Sequence, residues 1–71
     1  MRKIRSYKQL VGRLRQQRLE KGWSQRELAE ETGLTQQAIA RIEKGEVSPT
    51  LLTLFKVIAA LDLELTLDQR R

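Results

Sequence analysis

Apolar positions in this chain fall into four helical stretches followed by one short alternating run. In the first stretch Tyr7, Leu10 and Leu14 recur at the spacing of one helix face, and in the fourth Leu51, Leu54, Phe55, Ile58 and Leu61 do the same. Two shorter stretches lie between them, with Ala29 inside one and Ile39 and Ile42 at core positions of the other. The period then changes. Leu61-Asp62-Leu63-Glu64-Leu65-Thr66-Leu67 alternates strictly between apolar and polar residues. A helix would scatter these leucines over two faces, whereas a strand puts them on one. The pattern predicts helices over 7–21, 25–32, 36–44 and 49–61, and a strand over 62–67.

Local start and stop signals agree with these limits. Ser6 with Gln9 and Ser24 with Glu27 have the capping-box spacing, and Thr35 stands where it caps the third helix. Ser48-Pro49 predicts the start of the fourth, with proline at the first helical position. Trp23 with Leu28, Leu34 with Ile39 and Val47 with Leu52 are spaced as hydrophobic staples across three of these caps. Gly22, Gly33 and Gly45 follow the first three helices, where the chain needs a left-handed residue. Gly12 lies inside the first helix, at either a close crossing or a tolerated surface position.

The 71 residues are expected to form a single domain, with a helical body over 7–61 and a dimerisation strand over 62–67. There is no cysteine and no histidine, so neither disulfide nor imidazole or thiolate metal ligation can staple so small a core. Oligomerisation is the remaining common device. A single strand cannot satisfy its own backbone, and no other segment reads as one. Pairing with the same strand of a second copy in an antiparallel ribbon is therefore expected, with Leu63, Leu65 and Leu67 as dimerisation residues. The competing reading is a frayed tail.

Charge is uneven. Arg2, Lys3, Arg5, Lys8, Arg13, Arg15 and Arg18 are all cationic and residues 1–19 hold no acid, whereas residues 20–71 carry seven cations against nine acids. This asymmetry points to a polyanionic partner, although a basic helix is often only a solvated face. No apolar run has the length of a signal peptide core or a membrane span. The chain is expected to be soluble and cytoplasmic.

Residues 25–44 read as two short helices joined by a tight turn, with small Ala29 at the crossing and Gly33 in the turn. An ordinary packing hairpin has the same outline. What separates the two is the outward face of the second helix, expected to hold Gln36, Gln37, Ala40, Arg41 and Lys44, while Leu34, Ala38, Ile39 and Ile42 pack inward. Gln can pair with adenine N6 and N7, and Arg with guanine O6 and N7, in the major groove. Gln25 and Thr35, each at a helix start, are candidate backbone contacts, Gln25 offering its amide to a phosphate near the positive helix end.

The run Trp23-Ser24-Gln25-Arg26-Glu27-Leu28-Ala29-Glu30-Glu31-Thr32-Gly33-Leu34-Thr35-Gln36-Gln37-Ala38-Ile39-Ala40-Arg41-Ile42-Glu43-Lys44-Gly45 closely resembles the helix-turn-helix of the Cro- and C1-type (XRE-like) phage repressor family. The resemblance runs from about residue 10 to residue 61. It implies an all-α, lambda-repressor-like bundle of about four helices, here with a C-terminal β-strand pairing across a dimer. By position it implies that Gln25 binds the DNA backbone, that Lys44 lies near the phosphates, and that Gln36, Gln37 and Arg41 face bases. It also implies a structural pair between Arg18 and Glu43. The phage repressors usually continue into a fifth helix. The leucine-alternating ending is instead similar to the HipB-type antitoxins, small dimers with an inter-subunit ribbon that repress their own operon and bind a kinase-like toxin. With Arg71 only four residues beyond Leu67, any toxin contact is expected to use the folded body.

Catalysis is not expected: without histidine or cysteine it would rest on carboxylates, serine or lysine, and Glu27, Glu30 and Glu31 read as capping and solvating residues. No metal or cofactor is expected. The function expected is that of a dimeric, sequence-specific repressor of an inverted-repeat double-stranded operator, acting in the bacterial cytoplasm at the nucleoid, and the antitoxin of a HipA-like kinase toxin. The alternatives are a protein-interaction module with subsidiary DNA binding, a phage-type repressor with no toxin partner, and a basic membrane-surface binder.

Overall fold

Hydroxyl caps set the starts of the helices in the computed structural model, which describes residues 4–69. Arg2 and Lys3 of the basic N-terminal segment lie outside that range. Helix α1 (Tyr7–Glu20) starts after Ser6, whose Oγ accepts from the Gln9 amide at 3.1 Å. The Gln9 side chain accepts from the Arg5 amide at 2.7 Å, one residue before the cap, so the reciprocal half of the expected box is displaced. Helix α2 (Gln25–Thr32) has the complete box between Ser24 and Glu27, both bonds at 3.0 Å. Helix α3 (Gln36–Lys44) is capped by Thr35, which accepts from the Ala38 amide at 3.0 Å.

Helix α4 (Leu51–Ala60) begins later than expected. Thr50, with φ −63° and ψ 158°, is its cap and accepts from the Thr53 amide at 3.2 Å. Ser48 and Pro49 therefore stand before the helix. The same shift removes the Val47–Leu52 staple, and Leu52 is 77% exposed.

The strand expected over 62–67 is not formed, and the described residues hold no strand. The segment's first residues close α4 instead. The Asp62 amide donates to the Ala59 carbonyl and the Leu63 amide to the Ile58 carbonyl, both at 3.0 Å, with Asp62 left-handed at φ +58°. This is a Schellman ending, and Leu63 supplies its apolar contact by packing on the core. Residues 63–69 have no regular structure, as a single chain offers this segment no edge to pair with.

The core gathers Leu14 from α1, Leu28 and Ala29 from α2, Ile39 from α3, and Val57, Ile58 and Leu61 from α4 and its cap. Trp23 and Leu34, the residues that enter α2 and α3, close its edge. Helix α2 packs on both α3 and α4, and α3 also meets α1. The inward face of α4 keeps Leu54, Ile58 and Leu61 of the expected set and takes Val57 in place of Leu51 and Phe55. Val57, Ile58 and Leu61 are buried, while Leu51 and Phe55 are 62% and 41% exposed. Tyr7 is likewise on the surface. A Cβ built on Gly12 meets nothing within 4 Å, which fits the surface position rather than a crossing.

The cap assignment is testable. Thr50→Ala is expected to lower stability by about 1 kcal/mol, and Ser48→Ala by less than about 0.5 kcal/mol, in urea unfolding. The opposite order would put the start of α4 at Ser48.

Candidate functional site

Helix α3 divides cleanly by environment. Ile39 and Ile42 are buried, and Ala38 and Ala40 are half-buried. Gln36, Gln37, Arg41 and Lys44 are exposed, as the 3.6-residue period requires once the isoleucines face the core. Ala40 is thus less outward than expected. None of the described ion pairs engages Arg41 or Lys44, so both cations are available to an outside anion.

Beneath this surface lies a buried polar knot. Arg18 of α1 is 6% exposed and sits beside Glu43 near the end of α3. Its Nε donates to Glu43 Oε2 at 2.7 Å and its Nη2 to Oε1 at 2.9 Å. The remaining guanidinium nitrogen, Nη1, donates to the Trp23 carbonyl at 2.7 Å. One side chain therefore joins α1, the loop entering α2, and α3. The third member is Gln25, the first residue of α2, whose Nε2 donates to Glu43 Oε1 at 3.2 Å. No buried side-chain nitrogen or oxygen among the described residues lacks a partner.

At the start of α2 the capping box uses the Ser24 and Glu27 amides. The Gln25 and Arg26 amides are left as helix-end donors with no intrahelical partner. The Thr35 hydroxyl oxygen caps α3, leaving its proton free to donate outward.

The structure brings Arg18, Gln25 and Glu43 together and puts Gln36, Gln37 and Arg41 on the solvent side of one helix. It does not unite the three terminal leucines. Leu63 packs on its own chain's core, whereas Leu65 and Leu67 are 46% and 90% exposed. Two residues beside the site escaped the sequence reading. Tyr7 and Lys8 of α1 share a shallow surface groove with Lys44 and Gly45. The Tyr7 hydroxyl donates to the Val47 carbonyl at 3.0 Å, which holds the start of α1 to the loop after α3. Burial raises the Tyr7 phenol above its ordinary 10.0, so it remains a neutral donor at physiological pH. Lys8 was visible only as one basic residue among seven; its place beside Lys44 depends on packing between residues distant in sequence.

A family model described as helix-turn-helix matches residues 14–67. Antitoxin HipB of Escherichia coli (strain K12) is 38% identical over 65 residues, covering 92% of this chain and 74% of its own length. A chain of the HipA–HipB–O2–O3 complex superposes with a TM-score of 0.90 at 35% identity, covering 100% of both chains. The restriction-modification controller protein C.AhdI from Aeromonas hydrophila gives a TM-score of 0.75 at 34% identity, covering 82% of this chain and 84% of that one. Among the described residues no helix is long and apolar enough to cross a membrane.

The Arg18–Glu43 pair has a specific expected cost of disruption. Arg18→Met strands a buried carboxylate and is expected to destabilise the fold by about 3–5 kcal/mol. Arg18→Lys should recover only part of this, because an ammonium cannot make the two-pronged contact. Urea unfolding of the three proteins measures both. A loss within about 0.5 kcal/mol for Arg18→Met, the size expected of an ordinary surface change, would show that the pair contributes nothing to the fold.

Proposed function

We infer, from the premise that this chain belongs to the helix-turn-helix family that includes the HipB antitoxins, that it is a sequence-specific DNA-binding transcriptional regulator and the antitoxin of a HipBA-like operon. The observation that carries this reading is α3, a short helix held by buried contacts on one side and bearing Gln36, Gln37 and Arg41 free on the other. Such a helix fits the major groove, where amide and guanidinium groups distinguish bases. Gln36, Gln37 and Arg41 read base edges. Gln25, Thr35 and Lys44 hold phosphates, and the basic start of α1 adds attraction that is independent of sequence. The chemistry is recognition, not catalysis.

Two copies act together. Leu65 and Leu67, exposed in the single chain, form the inter-subunit ribbon together with Leu63, which also anchors the segment to its own core, and the ribbon supplies the pairing that a single chain lacks. Helix α4 contributes an apolar surface of Leu51, Leu52 and Phe55, each more than 40% exposed. Residues 1–71 act as one domain, with the body over 7–61 and the pairing segment over 62–67. Two recognition helices then address half-sites about 34 Å apart on an inverted repeat. The likeness to a chain of the HipA–HipB–O2–O3 complex supports a HipA-like kinase as protein partner. The setting is the bacterial cytoplasm, with the operator on the nucleoid.

Selection of bound duplexes from a random library, at near-physiological salt, is expected to enrich an inverted repeat. On that repeat, Arg41→Ala should lose about 1–3 kcal/mol and relax preference at one position in each half-site. Equal loss on every sequence would make Arg41 a phosphate contact. Leu65→Glu is expected to shift the dimer toward monomer in sedimentation and to weaken operator binding with it. A dimer unchanged by that substitution would refute the leucine ribbon.

A further inference from the structure

Glu43 puts a carboxylate next to a residue assigned to a phosphate, which ordinary electrostatics should disfavour. Three observations resolve the conflict. First, its charge is answered within the fold: both carboxylate oxygens accept from Arg18, at 2.7 and 2.9 Å, and the side chain is 5% exposed. Second, Oε1 accepts a further bond from Gln25 Nε2 at 3.2 Å. Third, Glu43 and the base-facing residues Gln36, Gln37 and Arg41 belong to one helix, while Gln25 opens another.

A glutamine amide on a surface turns freely, and its oxygen and nitrogen ends differ little in shape. A carboxylate can only accept hydrogen bonds, so it selects the nitrogen end. With one Nε2 hydrogen on Glu43, the second hydrogen is left to donate, at the helix start where the Gln25 and Arg26 amides have no intrahelical partner. An anion thus meets the nitrogen end of the Gln25 amide, oriented before it arrives.

We propose that Glu43 is a positioning residue for DNA binding: neutralised by Arg18, it orients the Gln25 amide as a phosphate donor and locks that donor in register with the base-reading face of α3. The proposal rests on the DNA-binding reading above. It gives the Arg18–Glu43 pair a second role besides joining helices, because it fixes the distance between the phosphate contact and the base contacts. An amide free to turn would hold the phosphate in several registers and blur discrimination between sequences.

The test is a double-mutant cycle in affinity for the selected repeat and for a scrambled duplex, using Gln25→Ala and Glu43→Gln singly and together. Each single change is expected to weaken repeat binding by about tenfold, the size of one charge-assisted hydrogen bond. In the Gln25→Ala background, Glu43→Gln is expected to cost less than it does alone, the remainder being its weakened contact with Arg18. The ratio of repeat to scrambled binding should fall with Glu43→Gln when Gln25 is present, whereas Gln25→Ala, which removes a phosphate donor, should weaken both duplexes alike. Glu43→Gln also weakens the Arg18 contact, so a measurement on the unsubstituted chain accompanies the cycle. In the free protein the Gln25 side-chain amide is expected to show an NMR signal displaced and less mobile than those of exposed Gln36 and Gln37. Additive losses in the cycle, or a Gln25 signal matching Gln36 and Gln37, would overturn the role of Glu43 while leaving DNA binding intact. An unsubstituted protein with no preference for any duplex would instead remove the DNA-binding reading on which the proposal rests.

Discussion

A guanidinium and a carboxylate taken out of water each lose several kcal/mol of hydration. Arg18 and Glu43 recover it only because every donor direction used by Arg18 ends on an acceptor: two on Glu43 and one on the Trp23 carbonyl. That geometry exists only when α1, the entry to α2 and the end of α3 stand in one arrangement. The apolar core brings these helices together without choosing their angles finely, since burial is non-directional. The ion pair supplies the direction. Helix α3 is therefore gripped twice, by Ile39 in the core and by Glu43 in the polar knot, and its remaining face is left rigidly on offer.

The other end of the molecule is organised on the opposite principle. Helix α4 is apolar nearly all round, and its core face, through Val57, Ile58 and Leu61, uses only part of that surface. Leu51, Leu52 and Phe55 remain outside, near in sequence to the irregular segment carrying Leu65 and Leu67. A chain of 71 residues can hold only a small core, and apolar surface left uncovered is a natural place to add to it by association. The proposed division of labour thus gives recognition to a polar helix, α3, and assembly to the apolar remainder.

Much of this was legible in the residues, for local reasons. The starts of α2 and α3 follow from Ser24, Glu27 and Thr35, which act within three residues of themselves, and the left-handed turns from Gly33 and Gly45. The exposed face of α3 follows from its two isoleucines. The start of α4 was misread because Ser48-Pro49 and Thr50 are both competent caps, and only the folded loop chooses between them. On α4 the spacing found Leu54, Ile58 and Leu61, whereas Leu51 and Phe55 stay outside because a helix apolar nearly all round marks the centre of its core face only weakly. The strand over 62–67 is not formed in the single chain because Asp62 and Leu63 fit either a strand or a Schellman cap, and within one chain only the cap has partners. The Arg18–Glu43 pair spans 25 residues, so it came from the family resemblance and not from any local pattern. The bond from Gln25 to Glu43 had no sequence signal at all.

The central claim, that a preorganised α3 reads sequence while the basic surface only attracts, is tested most directly by titrating salt against binding to the selected repeat and to a scrambled duplex of equal length. Both affinities should fall with salt as counterions are no longer usefully released. The account predicts that the preference for the repeat survives at salt concentrations where scrambled binding has vanished. Affinities that fall together, with no preference at any salt, would contradict it and leave only a basic protein near a polyanion.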